Sequence, residues 1–377
     1  MAKHVGLILI FTVIAGVFFN APILKAEVKN ENHPLKGNWD FKLQKLWEVD
    51  SAGDYVLTEI SDLQEDDDGR IYILERKHNK FLVLDQNGKF LYAFGNQGEG
   101  PGEYKMAYSF FLEGPYVIVP DQQKVHYFKK DGTYVKSYNL GGMAFLRTPI
   151  DEFRFLKVQE SEDEKKNLDI LEIVDLNTMK HTPIAEITAE KALISSTGGM
   201  VVKFKDGITT PMVIAAEQNN EIYFGKNDRY LIKKVDINGK ELLSFSISGR
   251  EQKKIPQHIK RERFENVRLN NEKMPKEMVD QMVKNMPDYC TYFKQIVIDK
   301  NGLITIHLTD VANKTVQEID IFSPAGKYLY HSDIQLPEGF KRVTPLFIKG
   351  NSLIVFVEDE DGEQKLVKFQ IETPVNY

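Results

Sequence analysis

Asp66 to Tyr104 reads DDDGRIYILERKHNKFLVLDQNGKFLYAFGNQGEGPGEY, and the reading of this stretch decides the fold. Its apolar runs at Ile71–Leu74, Phe81–Leu84 and Phe90–Phe94 are short, rich in β-branched and aromatic residues, and separated by Gly, Asn, Asp and Lys. That is the pattern of consecutive antiparallel strands. Between the last two runs lies Asp85-Gln86-Asn87-Gly88-Lys89, where Asn and Gly tolerate the positive φ of a tight hairpin. The turn is therefore a marker that can be followed along the chain.

Downstream the marker returns at Lys130-Asp131-Gly132, Leu176-Asn177-Thr178, Ile237-Asn238-Gly239-Lys240 and Pro324-Ala325-Gly326-Lys327. The first intervals are nearly equal, and a period of about 40–50 residues with four strands per unit is that of a β-propeller blade. The two later intervals are longer and should hold insertions. Counting strands gives six blades. The first has an inner strand near Val56–Leu63 and the three runs above. The second takes Ser109–Leu112, Tyr116–Val119, Val125–Phe128 and Tyr134–Tyr138. In the third, Phe153–Val158 and Asp169–Val174 flank a charged loop, and residues 189–209 read as extra strand and loop. The fourth spans Met212–Ile247, the fifth Phe293–His331, and the sixth Pro345–Ile371, one strand short. An unassigned strand, Phe41–Val49, would complete the sixth blade from the N-terminal side and protect its edge. The expected fold is an all-β, six-bladed β-propeller over residues 38–377, closed by that N-terminal strand. Trimming to about Gly37 is then harmless, whereas trimming past Val49 is not.

The longest interval holds residues 250–290, charged, Met-containing and poor in β-branched runs. Met278, Val279, Met282 and Val283 fall at helical spacing behind Pro275, and Ile255–Asn266 suits a second helix. We read a helical insertion between blades 4 and 5, placed over a channel mouth or on the side of the ring.

Upstream of the ring, Val5–Phe19 is an almost unbroken apolar run behind Lys3 and His4, shorter than the roughly 20 residues a bilayer span needs. Residues 1–26 read as a signal peptide cleaved after Ala26, with 27–37 as a linker. The protein is then exported, periplasmic or extracellular, with no membrane span after cleavage, or N-terminally anchored if the segment is retained. Cys290 is the one cysteine, so no intramolecular disulfide staples the fold. A net charge of −6 gives no reason to expect nucleic acid as partner.

The phrase Phe94–Tyr104, FGNQGEGPGEY, with the strands before it resembles an NHL-type repeat. Tyr292–Gly302, YFKQIVIDKNG, is similar too. Nearly the whole mature chain resembles exported bacterial six-bladed β-propellers of the NHL-repeat-like and TolB-like group, with the third blade departing most. The resemblance implies the fold; function stays open, because propellers host binding modules, lyases, lactonases and dehydrogenases alike.

Chemistry-bearing motifs are few. Gly95–Gly102 leads into no helix and lacks the Lys-Ser/Thr of a phosphate loop. Glu65–Gly69 lacks the alternating ligands of a calcium loop. The eight histidines include none on an expected inner strand; His126 and His307 fall on middle strands. Ser195-Ser196 lacks a nucleophile-elbow context, and Cys290 has no partner motif. Neither catalytic residues, metal ligands nor cofactors are expected. What the inner-strand ends carry is basic and aromatic: Arg147, Lys294, Lys341 and Arg342, with Tyr108 and Tyr292 beside them, a mouth suited to an anionic or sugar-like ligand. The preferred reading is a monomeric, non-enzymatic binding or interaction module for a protein or such a ligand. The alternative is a metal-dependent hydrolase or lyase in the central channel.

Overall fold

The computed structural model describes residues 26–141, 146–161, 167–189, 193–197, 200–204, 207–208, 211–269 and 275–374. Six four-stranded antiparallel blades follow one another. Their first and last strands are Ile60–Glu65 and Phe90–Phe94, Phe111–Glu113 and Tyr134–Asn139, Leu146–Pro149 and Lys180–Thr188, Val213–Gln218 and Glu241–Ile247, Phe293–Ile298 and Tyr328–Gln335. In the sixth, Lys341–Lys349, Ser352–Glu358 and Gln364–Gln370 are completed by Gln44–Val49, which pairs antiparallel with Gln364–Gln370. First strands of blades 2 and 3, 3 and 4, 4 and 5, and 6 and 1 touch one another, as strands lining a central channel do.

The turns that mark the repeat have a common physical basis. Asp85 Oδ1 accepts from the Asn87 and Lys89 amides and Gly88 takes φ 82°. Asp236 does the same for Asn238 and Lys240, with Gly239 at φ 80°. A carboxylate that caps the turn and a glycine free to adopt positive φ fix each hairpin. Between blades lies one apolar cluster per interface. Tyr72, Phe81, Phe94, Phe110 and Phe128 join blades 1 and 2, and Ile354, Phe356 and Leu366 meet Ile71, Leu82 and Leu84 where blade 6 closes on blade 1. Phe81 lies 4.9 Å from Phe94 and 5.1 Å from Phe110, a buried aromatic stack that contributes beyond its area.

Two sequence expectations are corrected. Val56 is exposed and belongs to a small hairpin with Ser51–Ala52, so the inner strand of blade 1 starts later, at Ile60. Residues 27–37 are not a linker. Ala26–Asn30 adds a fifth, parallel strand outside blade 4, against Glu241–Ile247. Leu35, Lys36 and Trp39 then donate backbone hydrogen bonds to Tyr328, Leu329 and His331 on the edge of blade 5. The N-terminal chain is a strap over the rims of blades 4, 5 and 6 in turn. Its anchor is buried Asn30, whose amide donates to the Gly326 and Ser246 carbonyls while its oxygen accepts from the Tyr328 amide. Such an anchor leaves no hydrophobic period to read. The signal-peptide reading of residues 1–26 lies, except for Ala26, outside the described residues.

Between blades 4 and 5 stand α1 (Gln257–Leu269) and α2 (Lys276–Asn285). Met278, Val279, Met282 and Val283 of α2 are buried with Ile255, Phe264, Met286 and Cys290, so the insertion has its own small core. A hairpin, Leu193–Thr197 with Met200–Phe204, fills the other long interval. Every passage from a fourth strand to the next first strand opens on the same face of the ring. The helices therefore stand on the face where the inner strands begin.

Candidate functional site

Three of the expected basic residues occupy matching places at that face. In blade 3 the pairing of the first two strands skips between Leu146 and Thr148, and in blade 5 between Phe293 and Gln295. The extra residues are Arg147 and Lys294, each in a β-bulge, a device that re-aims a side chain. Arg342 stands at the second position of the inner strand of blade 6, just before that strand also loses register.

Lys294 and Arg342 are brought together. Burial, then the charge of Arg342, pushes the Lys294 ammonium down to about 7, with Asp310 pulling weakly the other way. Arg342 is lowered by burial too, with Asp310 again opposing. The guanidinium of Arg342 donates to the Gln317 side-chain oxygen, a neutral partner, and Gln317 is in turn held by its amide on the Leu308 and Glu318 carbonyls. Lys294 has no hydrogen bond or ion pair among the described residues. Behind them His307, 2% exposed, is driven down to about 3 by burial and the two cations, so it is neutral, and its Nε2 has no partner. Asp310, the nearest acid, is engaged in its own turn, accepting from the Ala312 and Asn313 amides. Arg147 repeats the theme across the ring: desolvated, offset in part by Asp169, with its Nε buried and unbonded among the described residues. A buried cation without a fixed counter-charge is expensive. The arrangement suits an incoming anion, for which these side chains are donors only.

The other expected residues lie elsewhere. Tyr108 is exposed, with the Arg76 guanidinium 4.9 Å from its ring. Lys341 is exposed at the rim, beside Asn313 and Lys314. Tyr292 lines a cleft of about 230 Å³ with Arg250, Lys253, Thr309 and Glu318, under the base of the helical insertion. Sequence reading set His307 aside as a middle-strand residue and missed Gln317, on a third strand; only the fold brings them to Lys294 and Arg342. It also missed Asp62, on the inner strand of blade 1, whose carboxyl burial raises to about 7 while the Phe110 and Leu63 amides hold it.

A second polar centre lies between blades 4 and 5. Fully buried Asp320 accepts from Tyr230, Tyr328, Arg250 and His331, at 2.7, 2.7, 2.5 and 2.9 Å. Arg250 begins the helical insertion, so this network fastens the insertion to the ring.

No helix among the described residues is long and apolar enough to cross a membrane. No curated protein matches the sequence significantly. Among solved structures the chain is similar to a protein of Bacteroides fragilis named as exported, at 14% identity and TM-score 0.53, covering 92% of this chain and 99% of that one. It is likewise similar to a member of the DUF4221 family from Bacteroides vulgatus, at 11% identity and TM-score 0.53, covering 88% and 98%. At such identities the likeness speaks for the fold alone. The model of the DUF5128 family, described as a 6-bladed beta-propeller, matches residues 51–323, and the chain belongs to that family.

Proposed function

We propose that this protein is an exported, non-enzymatic binding module that holds a small anionic ligand at the channel mouth on the helix-bearing face. One observation carries the reading: Lys294 and Arg342, on adjacent inner strands, share a half-buried site in which no carboxylate pairs with either among the described residues. The bulge at Lys294, the unbonded Nε2 of His307 and the neutral Gln317 partner of Arg342 all leave donor capacity unused within one cluster of mutually interacting groups. Charge-assisted hydrogen bonds to a carboxylate or phosphate would use it, each stronger than a neutral bond. Export rests on the apolar segment Val5–Phe19 and agrees with the name of the Bacteroides fragilis relative.

Titration calorimetry with citrate, phosphate and galacturonate against neutral sugars tests it. Lys294→Met and Arg342→Met are each expected to weaken anion binding by about tenfold to a hundredfold, the loss of one charged hydrogen bond of about 1.5–3 kcal/mol. Equal affinity in both variants would sink the proposal. The pH dependence has a definite sign. Since Lys294 loses its proton near 7 while Arg342 keeps its charge, binding is expected to weaken as the pH rises above 7, with Asp310 and neutral His307 the other titratable groups facing the site. Lys294→Arg should flatten that profile. Stability runs the other way: with the folded pKa below the unfolded one, the unfolded chain binds more protons between about 7 and 10.5, so Lys294 makes the protein more stable as pH rises through that window.

A further inference from the structure

The outer half of blade 5 carries a second set of chemistry-bearing residues. Register pairs Glu318 with Asp333 and Asp320 with His331, so the four side chains share one face of the third and fourth strands. Asp320, with no exposed surface, holds His331 Nδ1 at 2.9 Å and is itself fixed by two tyrosines and Arg250. The other ring nitrogen, Nε2, thereby faces Asp333, 3.2 Å away. The candidate ligand atoms of Glu318, His331 and Asp333 all lie within 4.8 Å of one another.

We propose that Glu318, His331 and Asp333 bind a divalent first-row transition metal ion, zinc in the first instance, with Asp320 as the outer partner that orients the imidazole. The donor set is one imidazole nitrogen and two carboxylate oxygens, chemistry that suits borderline ions of this series. Three protein ligands with a further position open is the arrangement of an accessible zinc site. A histidine ligand that gives its second N–H to a buried carboxylate is the usual outer support, fixing ring orientation and tautomer. Glu318 lines a cleft with Arg250 and Thr309, and the Asp333 side chain is exposed, so the cluster is open to solvent. The competing cation is Lys253, whose Nζ lies 2.6 Å from Glu318 Oε1 and also interacts with Asp310 and Asp333. Its flexible stem lets it yield to a metal ion, and its charge lowers the affinity. Its ligands are other residues than the channel-mouth cations, although Asp310 faces both Lys253 and the Lys294–Arg342 pair.

Calorimetric titration of the chain beginning at Ala26 with zinc chloride, checked by the visible spectrum of the cobalt(II) form, tests the inference. One saturable equivalent is expected. Asp333→Asn, at an exposed position, and Glu318→Gln should each weaken binding, with losses of about ten- to a hundredfold on the scale of metal-site substitutions, and Lys253→Met should strengthen it. All three variants should melt with the parent in the presence of a chelator, which separates ligand loss from misfolding. Uptake that does not saturate, or that is unchanged in Asp333→Asn and Glu318→Gln, would overturn the proposal, as would weaker binding in Lys253→Met.

Discussion

A chain that begins at Asp50 is expected to yield no folded ring, and one that begins at Asn38 to fold with reduced stability relative to a chain that begins at Ala26. The first truncation removes Gln44–Val49, which leaves blade 6 with three strands and bares the edge of Gln364–Gln370. Trp47 goes with it, and so does its cover of the Gly88 turn, where the indole donates to the Gln86 carbonyl. The second truncation removes the strand Ala26–Asn30 and the Asn30 side chain. Two carbonyls and the Tyr328 amide then lose their partners, each at a cost of about 1–3 kcal/mol where water cannot reach them. Substituting Asn30→Ala alone should reproduce much of that second loss. Urea unfolding of the three chains and of Asn30→Ala decides the matter; superimposable curves for the Ala26 and Asn38 chains would show that the strap adds nothing.

Asp320→Ala carries the other large effect. Removing this carboxylate leaves Arg250 with its guanidinium mostly buried and without a counter-charge, and deprives the Tyr230 and Tyr328 hydroxyls and His331 of their shared acceptor. Breaking one side of a buried pair costs about 3–5 kcal/mol, chiefly because the remaining charge is stranded. Asp320→Asn keeps an oxygen acceptor and should lie between the two. Since Arg250 opens the helical insertion, protease cleavage between Gly249 and Cys290 should accelerate in step with the loss of stability. Wild-type unfolding free energy in Asp320→Ala would show that the network is dispensable.

The blades were legible because their turns carry side-chain chemistry in the sequence. Asp85, Asp236, Asp299 and Asp359 each cap a turn whose fourth residue is Gly88, Gly239, Gly302 or Gly362, all at positive φ. The α2 stripe of Met278, Val279, Met282 and Val283 was legible for the same reason, a period that burial enforces. The strap was not. Ala26–Asn30 offers only Ala26 and Val28 as apolar residues, too short a run to read as a strand, and its place depends on what one amide finds on Gly326 and Tyr328, far along the chain. Arg147, Lys294 and Arg342 could be named as basic residues at strand ends. Their burial could not, because for Arg147 and Lys294 it goes with bulges that shift register by one residue without leaving a mark in composition. The Asp320 centre gathers residues 230, 250, 328 and 331 from two blades and a connection, a meeting that only the closed ring brings about.

The strap also sets the order of events when the chain is made. The Trp39 indole donates to the Glu372 carbonyl, 333 positions away, and Gln44–Val49 finds its partner only in Gln364–Gln370. The segment synthesised first must therefore wait for nearly the last, and loops of that length close slowly. Until then the chain holds open edges and no finished blade 6. The latest residues to arrive therefore act as the trigger for the whole ring.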